Sequence, residues 1–242
     1  RVLNKIQNII REEMNAVGGN ELLMPAMTQE ASYAQTGRDK MEILFHLQGR
    51  DESELVLNPT HEEVVTPLAQ KYTFSYRDLP VAVYQIQNKF RNEPRAKSGL
   101  LRGREFNMKD MYSFHVSKEN LDEYYEKVKE AYFKVYERLG IGDITVLTYA
   151  TGGMFSKYSH EFQTFADVGE DTIFYCEKCC VAVNKEIIDE QKGACPECGS
   201  KKLKERQAIE VGNIFKLGDK FSKPFGFVFK DSDGKDKPVE MG

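Results

Sequence analysis

Phe90-Arg91-Asn92-Glu93, a short loop holding Arg95, Lys97 and Gly99, and Arg102-Gly103-Arg104-Glu105-Phe106 running on to Asp110 set charged and aromatic side chains at regular intervals. Alternation along a strand places every second side chain on one face. Arg91 and Glu93 then share a face on a first strand, and Arg102, Phe106 and Asp110 share one on a second. Paired as a hairpin, the two faces combine guanidiniums for phosphates, a flat ring for stacking and carboxylates for a metal, an amine or a base edge. On charge alone, an exposed hairpin with weak cross-strand ion pairs accounts for the same residues.

A second chemical signal lies further on. Cys176-x-x-Cys179 and Cys195-x-x-Cys198 are separated by fifteen residues, the spacing of a four-cysteine zinc ribbon. Four thiolates make a closed tetrahedral site, so the role expected for Zn2+ is structural. Four reduced cysteines without metal are the alternative. Cys180 is left over.

These groups need elements to hold them. Val2, Ile6, Ile9, Ile10, Met14 and Val17 fall at helical spacing and end at Gly18-Gly19; Glu21 to Pro25 reads as a strand. Residues 42–57 read as two short strands around Gly49-Arg50-Asp51, and a helix follows Thr60. Ser117 is placed to cap a long helix ended by Gly140. Strand-like segments return at 144–149, 160–168, 207–215 and 225–230. Hairpins mixed with unevenly spaced helices predict an α+β fold, an antiparallel β-sheet flanked by helices.

The 242 residues are 40% hydrophobic with a net charge of -4 and a mean hydropathy of -0.54. A core is affordable within one large domain, and no apolar run reaches membrane-spanning length. The balance predicts a cytoplasmic protein without a membrane partner. The surface as a whole is no nucleic-acid magnet, so RNA contact falls to local patches, 91–104 and 201–206; the second reads equally well as a solvated turn.

The order Phe-Arg-x-Glu, loop, Arg-x-x-x-Phe-x-x-x-Asp resembles motif 2 of the class II aminoacyl-tRNA synthetases. Gly103 to His115, Asn58-Pro59-Thr60-His61-Glu62-Glu63 and Ser159-His160-Glu161-Phe162 resemble the bacterial-type prolyl-tRNA synthetases of that class. The resemblance runs through nearly the whole chain. It implies activation of proline with ATP to prolyl-adenylate and transfer to the 3' end of tRNA(Pro). It also implies homodimerisation through motif 1, which the opening helix, glycines and strand resemble. By resemblance Arg91 clamps the α-phosphate and the substrate carboxylate, Glu93 reads the adenine edge, Arg102 holds the γ-phosphate and Phe106 stacks on adenine. Glu210, with Asn213 nearby, holds the Mg2+ that travels with ATP. Thr60 and Glu62 meet the proline ammonium, and Phe162 and Phe215 wall its ring, with Met108, Asp110, Tyr112 and His160 close by. Thr60-x-x-Glu63 also reads as a helix capping box. Many of these enzymes carry a large editing domain where this chain has only 181–204, so clearance of mischarged alanine in cis is not expected. The expected organisation is a catalytic core over 1–174, a zinc-ribbon-like insert over 175–204 and a return of the core over 205–242. The chain reads as a fragment that lacks motif 3 and the anticodon-binding domain. A threonyl or seryl enzyme, and a non-catalytic zinc-ribbon module that binds RNA or regulates, stand as alternatives.

Overall fold

The computed structural model describes residues 1–96, 99–153 and 155–242; Lys97 of the hairpin loop lies outside them. In chain order the elements are α1 (Val2–Ala16), β1 (Gly19–Glu21), β2 (Met27–Gln29), α2 (Glu30–Thr36), β3 (Phe45–Gln48), β4 (Glu54–Leu57), α3 (Glu62–Gln70), β5 (Val81–Phe90), β6 (Glu105–His115) and α4 (Lys118–Arg138). Then come β7 (Thr145–Thr151), β8 (Tyr158–Phe165), β9 (Asp171–Cys176), β10 (Val181–Asn184), β11 (Lys204–Ile214), β12 (Val228–Lys230), β13 (Asp236–Pro238) and β14 (Glu240–Met241). The chain forms two compact units. One comprises Ile10–Leu121 with Gly218–Met241, and the other Arg1–Ile9, Asp122–Leu217 and Gly242.

In the first unit β5 and β6 pair antiparallel over ten residues, from Val81↔Phe114 to Phe90↔Glu105. β1 adds parallel to β5 and β14 antiparallel to β6, giving the order β1-β5-β6-β14. A second sheet, β2-β4-β3, covers a cluster of Tyr33, Leu44 and Val56. On one face of the sheet Phe114, paired with Met241, packs on Phe227 with the rings 5.7 Å apart, and all three are buried; Tyr84 is buried on the opposite face, where its hydroxyl donates to Asn15 Oδ1 at 2.8 Å. Burial of such rings is the main stabilising term.

The second unit holds a closed five-stranded barrel, β10-β7-β8-β11-β9. Its apolar filling is Val146, Ile173, Ala182 and Ala208. The residues expected as a separate insert, 175–204, fall inside this unit. β10 pairs parallel with β7 and antiparallel with β9, so the segment contributes a barrel strand. Phe162 is a correction. Expected as a pocket wall, it is 0% exposed and packs on Tyr132, Phe133 and Tyr136 of α4 at 5.0, 5.1 and 5.4 Å between ring centroids. Its ring belongs to the core.

Ser117 caps α4 as its hydroxyl accepts from the Asn120 N–H, and Gly140 beyond the helix takes φ +78°. The capping box at α3 does not form. His61 holds the N-cap position without a side-chain cap, while Thr60 and Glu63 face elsewhere.

Candidate active site and metal cluster

The β5–β6 register sets out the first unit's face. Gln85 lies opposite Asp110, Gln87 opposite Met108, Lys89 opposite Phe106 and Val83 opposite Tyr112. Directly paired residues point to the same side of a sheet, so Phe106, Met108, Asp110 and Tyr112 share one face with Gln85, Gln87 and Lys89. Arg91 follows β5 and extends the ladder, its N–H donating to the Arg104 carbonyl at 2.9 Å. The Arg91 guanidinium carbon lies 5.2 Å from the centre of the Phe106 ring. Arg102 sits ahead of β6, off the strand alternation expected for it, and pairs with Glu93 at 3.5 Å.

Behind this surface runs a buried polar network that alternation along β5 alone does not announce. Lys89 is fully buried and its Nζ lies 2.7 Å from Asp110 Oδ1. Gln85 Nε2 and the Tyr112 hydroxyl donate to Asp110 Oδ2 at 3.0 and 2.8 Å. The Tyr112 oxygen also accepts from the His61 N–H at 2.8 Å. Asp110 and Tyr112, expected near a substrate, thus serve each other and Lys89. Burial depresses the Lys89 pKa, only partly countered by Asp110. Burial, followed by Lys89, also depresses His61, which is a neutral bridge to the Pro25 carbonyl at 3.0 Å.

Thr60 and Glu62 lie beside a residue that the motif reading missed. Gly37 ends α2 in the left-handed region, φ +73°, where glycine carries no Cβ penalty. The turn lets the Arg38 N–H bond the Tyr33 carbonyl at 2.8 Å and sends the Arg38 side chain inward, where the residue is 3% exposed. Its Nη1 meets Glu62 Oε2 at 2.9 Å and both Glu63 oxygens at 3.0 Å, and Nη2 donates to Thr60 Oγ1 at 2.9 Å. Burial disfavours the guanidinium, but Glu62 and Glu63 more than offset it and its pKa is raised. Burial raises the Glu63 carboxyl against the pull of Arg38.

In the second unit, His160 Nδ1 and the Tyr125 hydroxyl are 2.8 Å apart, and Tyr125 donates to the Ile214 carbonyl at 3.2 Å. Tyr149 packs edge-on to His160 at 4.7 Å and hydrogen-bonds Glu197, which lies between two of the cysteines. Phe215 packs against Phe155 at 4.8 Å. A β-bulge between Glu210 and Gly212 brings the Asn213 amide within 3.2 Å of Glu210 Oε1, although three residues along a regular strand would point oppositely. A Cβ on Gly212 would lie 2.3 Å from the Tyr136 hydroxyl, so the bulge needs a glycine. An open depression lined by Phe165, Asp167, Glu205 and Arg206 holds none of the expected residues.

The four expected cysteines come together, with every Sγ within 4.8 Å of the others. Three separations are 4.0, 3.7 and 3.9 Å. A tetrahedron of thiolates about 2.3 Å from a zinc ion has edges of roughly 3.8 Å, so the donor set fits that ion. Cys180 stands outside the cluster. It takes φ +58° and donates its N–H to the Cys176 carbonyl, as Gly199, φ +69°, does to Cys195. Cys180 is therefore the turn residue of the first knuckle.

The family model described as tRNA synthetase class II core domain (G, H, P, S and T) matches residues 45–242. The chain belongs to the class II tRNA synthetase core family. A proline--tRNA ligase of Dehalococcoides mccartyi is 49% identical over 207 residues, 85% of this chain and 36% of that protein. A probable mitochondrial proline--tRNA ligase of Rattus norvegicus is 41% identical over 245 residues, 100% of this chain and 51% of that protein. The chain thus spans about a third to a half of these relatives. Among solved structures, Giardia lamblia prolyl-tRNA synthetase in complex with prolyl-adenylate superposes with a TM-score of 0.75 at 17% identity, over 98% of this chain and 42% of that one. At that identity the likeness concerns the class II fold. The mixed α/β architecture agrees with the α+β expectation; the barrel closed by β10 is the part that was not foreseen.

Proposed function

We propose that this chain is the proline-activating core of a proline--tRNA ligase, which joins proline to the α-phosphate of ATP and passes it to tRNA(Pro). The observation that carries the reading is the 49% identity to proteins of that name across most of the chain. The buried acidic pair beside Thr60 supports it, because one guanidinium facing two carboxyl groups leaves a formally negative site that complements an ammonium.

In the first step a proline carboxylate oxygen attacks the α-phosphorus. A P–O bond forms, the bond to the bridging oxygen breaks and pyrophosphate departs. Arg91 is the cation for the charge that gathers there; a hydrogen bond to a charged group contributes about 1.5–3 kcal/mol. The ring of Phe106 offers adenine a stacking face, Glu93 its edge, and Arg102 a cation for the terminal phosphate. In the second step the terminal ribose hydroxyl of tRNA attacks the acyl carbon and AMP leaves. Mg2+ neutralises the triphosphate and needs few protein carboxylates; Glu210, exposed and steadied by Asn213, suits that duty. His160 and Phe215 are proposed to contribute to proline recognition, and Met108 to line the ring.

Zn2+ is proposed for Cys176, Cys179, Cys195 and Cys198 as a closed structural site. All five cysteines are free thiols, which suits a reducing compartment such as the cytoplasm. Homodimerisation is proposed on the apolar side chains exposed near motif 1, Leu23 at 78% and Met27 at 51%. Among the described residues no helix is long and apolar enough to cross a membrane.

Amino-acid-dependent exchange of pyrophosphate into ATP by the intact protein tests the activity. Proline alone should support exchange, and Arg91→Ala should abolish it. Exchange driven by threonine or serine overturns the assignment.

A further inference from the structure

Arg38 is absorbed by none of the motifs, yet it is the most heavily engaged side chain beside the proposed ammonium site. Its guanidinium holds Glu63 through both carboxylate oxygens but touches Glu62 through Oε2 alone. Glu63 is held a second time by the Thr36 hydroxyl, at 2.7 Å from Oε1. No hydrogen bond to Glu62 Oε1 occurs among the described residues. The Arg38 carbon also lies 5.8 Å from the Tyr33 ring centre and 5.5 Å from that of Phe221, so the planar group is fixed between aromatic walls.

The two neighbouring glutamates are therefore not equivalent. Glu63 spends both oxygens on Arg38 and Thr36. Glu62 spends one and keeps the other, and its side chain remains 7% exposed against 0% for Glu63. Thr60 accepts from Arg38 Nη2 and retains a second lone pair. We propose that Arg38 is a positioning residue for amino-acid recognition, which orients Glu62 Oε1 and Thr60 Oγ1 as a pair of acceptors for a secondary ammonium. This rests on the proline-activating reading and adds to it a residue outside every motif. A lysine at position 38 could not reproduce the role. Glu62 and Glu63 both meet Nη1, but Thr60 Oγ1 meets Nη2, so an ammonium, a point charge, cannot hold the two glutamates and Thr60 at once.

The test compares proline with tetrahydrofuran-2-carboxylate, an analogue with a ring oxygen in place of the ammonium, in the intact protein. Arg38→Lys should raise the KM for proline in pyrophosphate exchange by 10- to 100-fold. The KM for ATP, and the inhibition constant of the analogue, should each change by less than 3-fold. Glu63→Gln keeps Arg38 but lets it turn further toward Glu62; proline affinity should fall 3- to 10-fold, again with the analogue unaffected. If Arg38→Lys proves too unstable to assay, Glu63→Gln alone decides. Parallel losses for proline and the analogue mean that Arg38 merely supports the fold, and overturn the inference. Exchange that no amino acid stimulates in the unmodified protein overturns the activity reading itself, a different outcome.

Discussion

Replacing Asp110 by Asn probes the buried network at its most exposed assumption, that a lysine is held charged in the protein interior. The substitution keeps the shape and one acceptor for Gln85 and Tyr112. It removes the carboxylate that pairs with Lys89 among the described residues and turns an amide donor toward the ammonium at 2.7 Å. Breaking a buried ion pair by neutralising one member costs about 3–5 kcal/mol, a large share of the ~5–15 kcal/mol that stabilises a domain. The pH dependence gives a sharper signature. Burial holds the Lys89 pKa below its usual 10.5, so between the folded value and 10.5 the unfolded chain binds the extra proton and stability rises with pH. Without Asp110 the folded pKa falls further and the window widens downward, with a slope of about 1.4 kcal/mol per pH unit inside it. Urea unfolding followed by far-ultraviolet circular dichroism, at pH 7 and pH 9.5, gives the free energies; the chain has no tryptophan to report instead. The deficit of Asp110→Asn should be several kcal/mol at pH 7 and shrink by at least 1 kcal/mol at pH 9.5. A loss below about 1 kcal/mol, or one equal at both pH values, would refute the buried-charge account.

Four further substitutions test the second unit. Glu161 is buried near Glu210 and its pKa is pushed up to about 7; the folded form then holds a proton that the unfolded form has released, so stability falls as pH rises from about 4.5 to 7, by up to about 3 kcal/mol. Glu161→Gln should flatten that decline in melts recorded across the range, and an unchanged profile would assign it elsewhere. Phe162→Ala, emptying a site among three aromatic rings, should cost about 3–5 kcal/mol in chemical denaturation, whereas a pocket-wall role predicts a changed KM for proline at nearly unchanged stability. Cys198→Ser should abolish stoichiometric zinc in elemental analysis. Cys180→Gly should retain it and gain about 1 kcal/mol by relieving a left-handed non-glycine turn; lost metal there would make Cys180 a ligand.

What could be read in the sequence was what periodicity and spacing encode locally. Ser117, the α4 stripe and Gly140 form one continuous pattern, and the paired cysteine spacings bring four thiols together without knowledge of the rest. The β5–β6 hairpin was readable because its side chains alternate, but Arg102 was not, since it precedes the strand and no longer follows that period. β10 escaped because it is short and opens just after a cysteine turn, where a three-residue apolar run such as 181–183 looks the same in a loop. Arg38 sits in Gly37-Arg38-Asp39-Lys40, a stretch that reads as a solvated turn; its partners lie more than twenty residues away, and only the fold supplies them. For Lys89 a usable signal did exist. It alternates with Gln85 and Gln87, and an antiparallel partner strand places Asp110 on that same polar face.

The cysteine cluster joins the turn between β9 and β10 to the segment that leads into β11. Those three strands make up most of the barrel, and β10 reaches β7 only by a parallel pairing remote in sequence. A metal held there would close a loop that hydrogen bonding alone must otherwise close against chain entropy. Barrel stability then becomes a function of metal activity, rising about 1.4 kcal/mol for each tenfold increase in free ion above the dissociation constant. Under metal limitation the first strands to loosen would be β9 and β10, and the cell's zinc supply would help set the folded fraction of this unit.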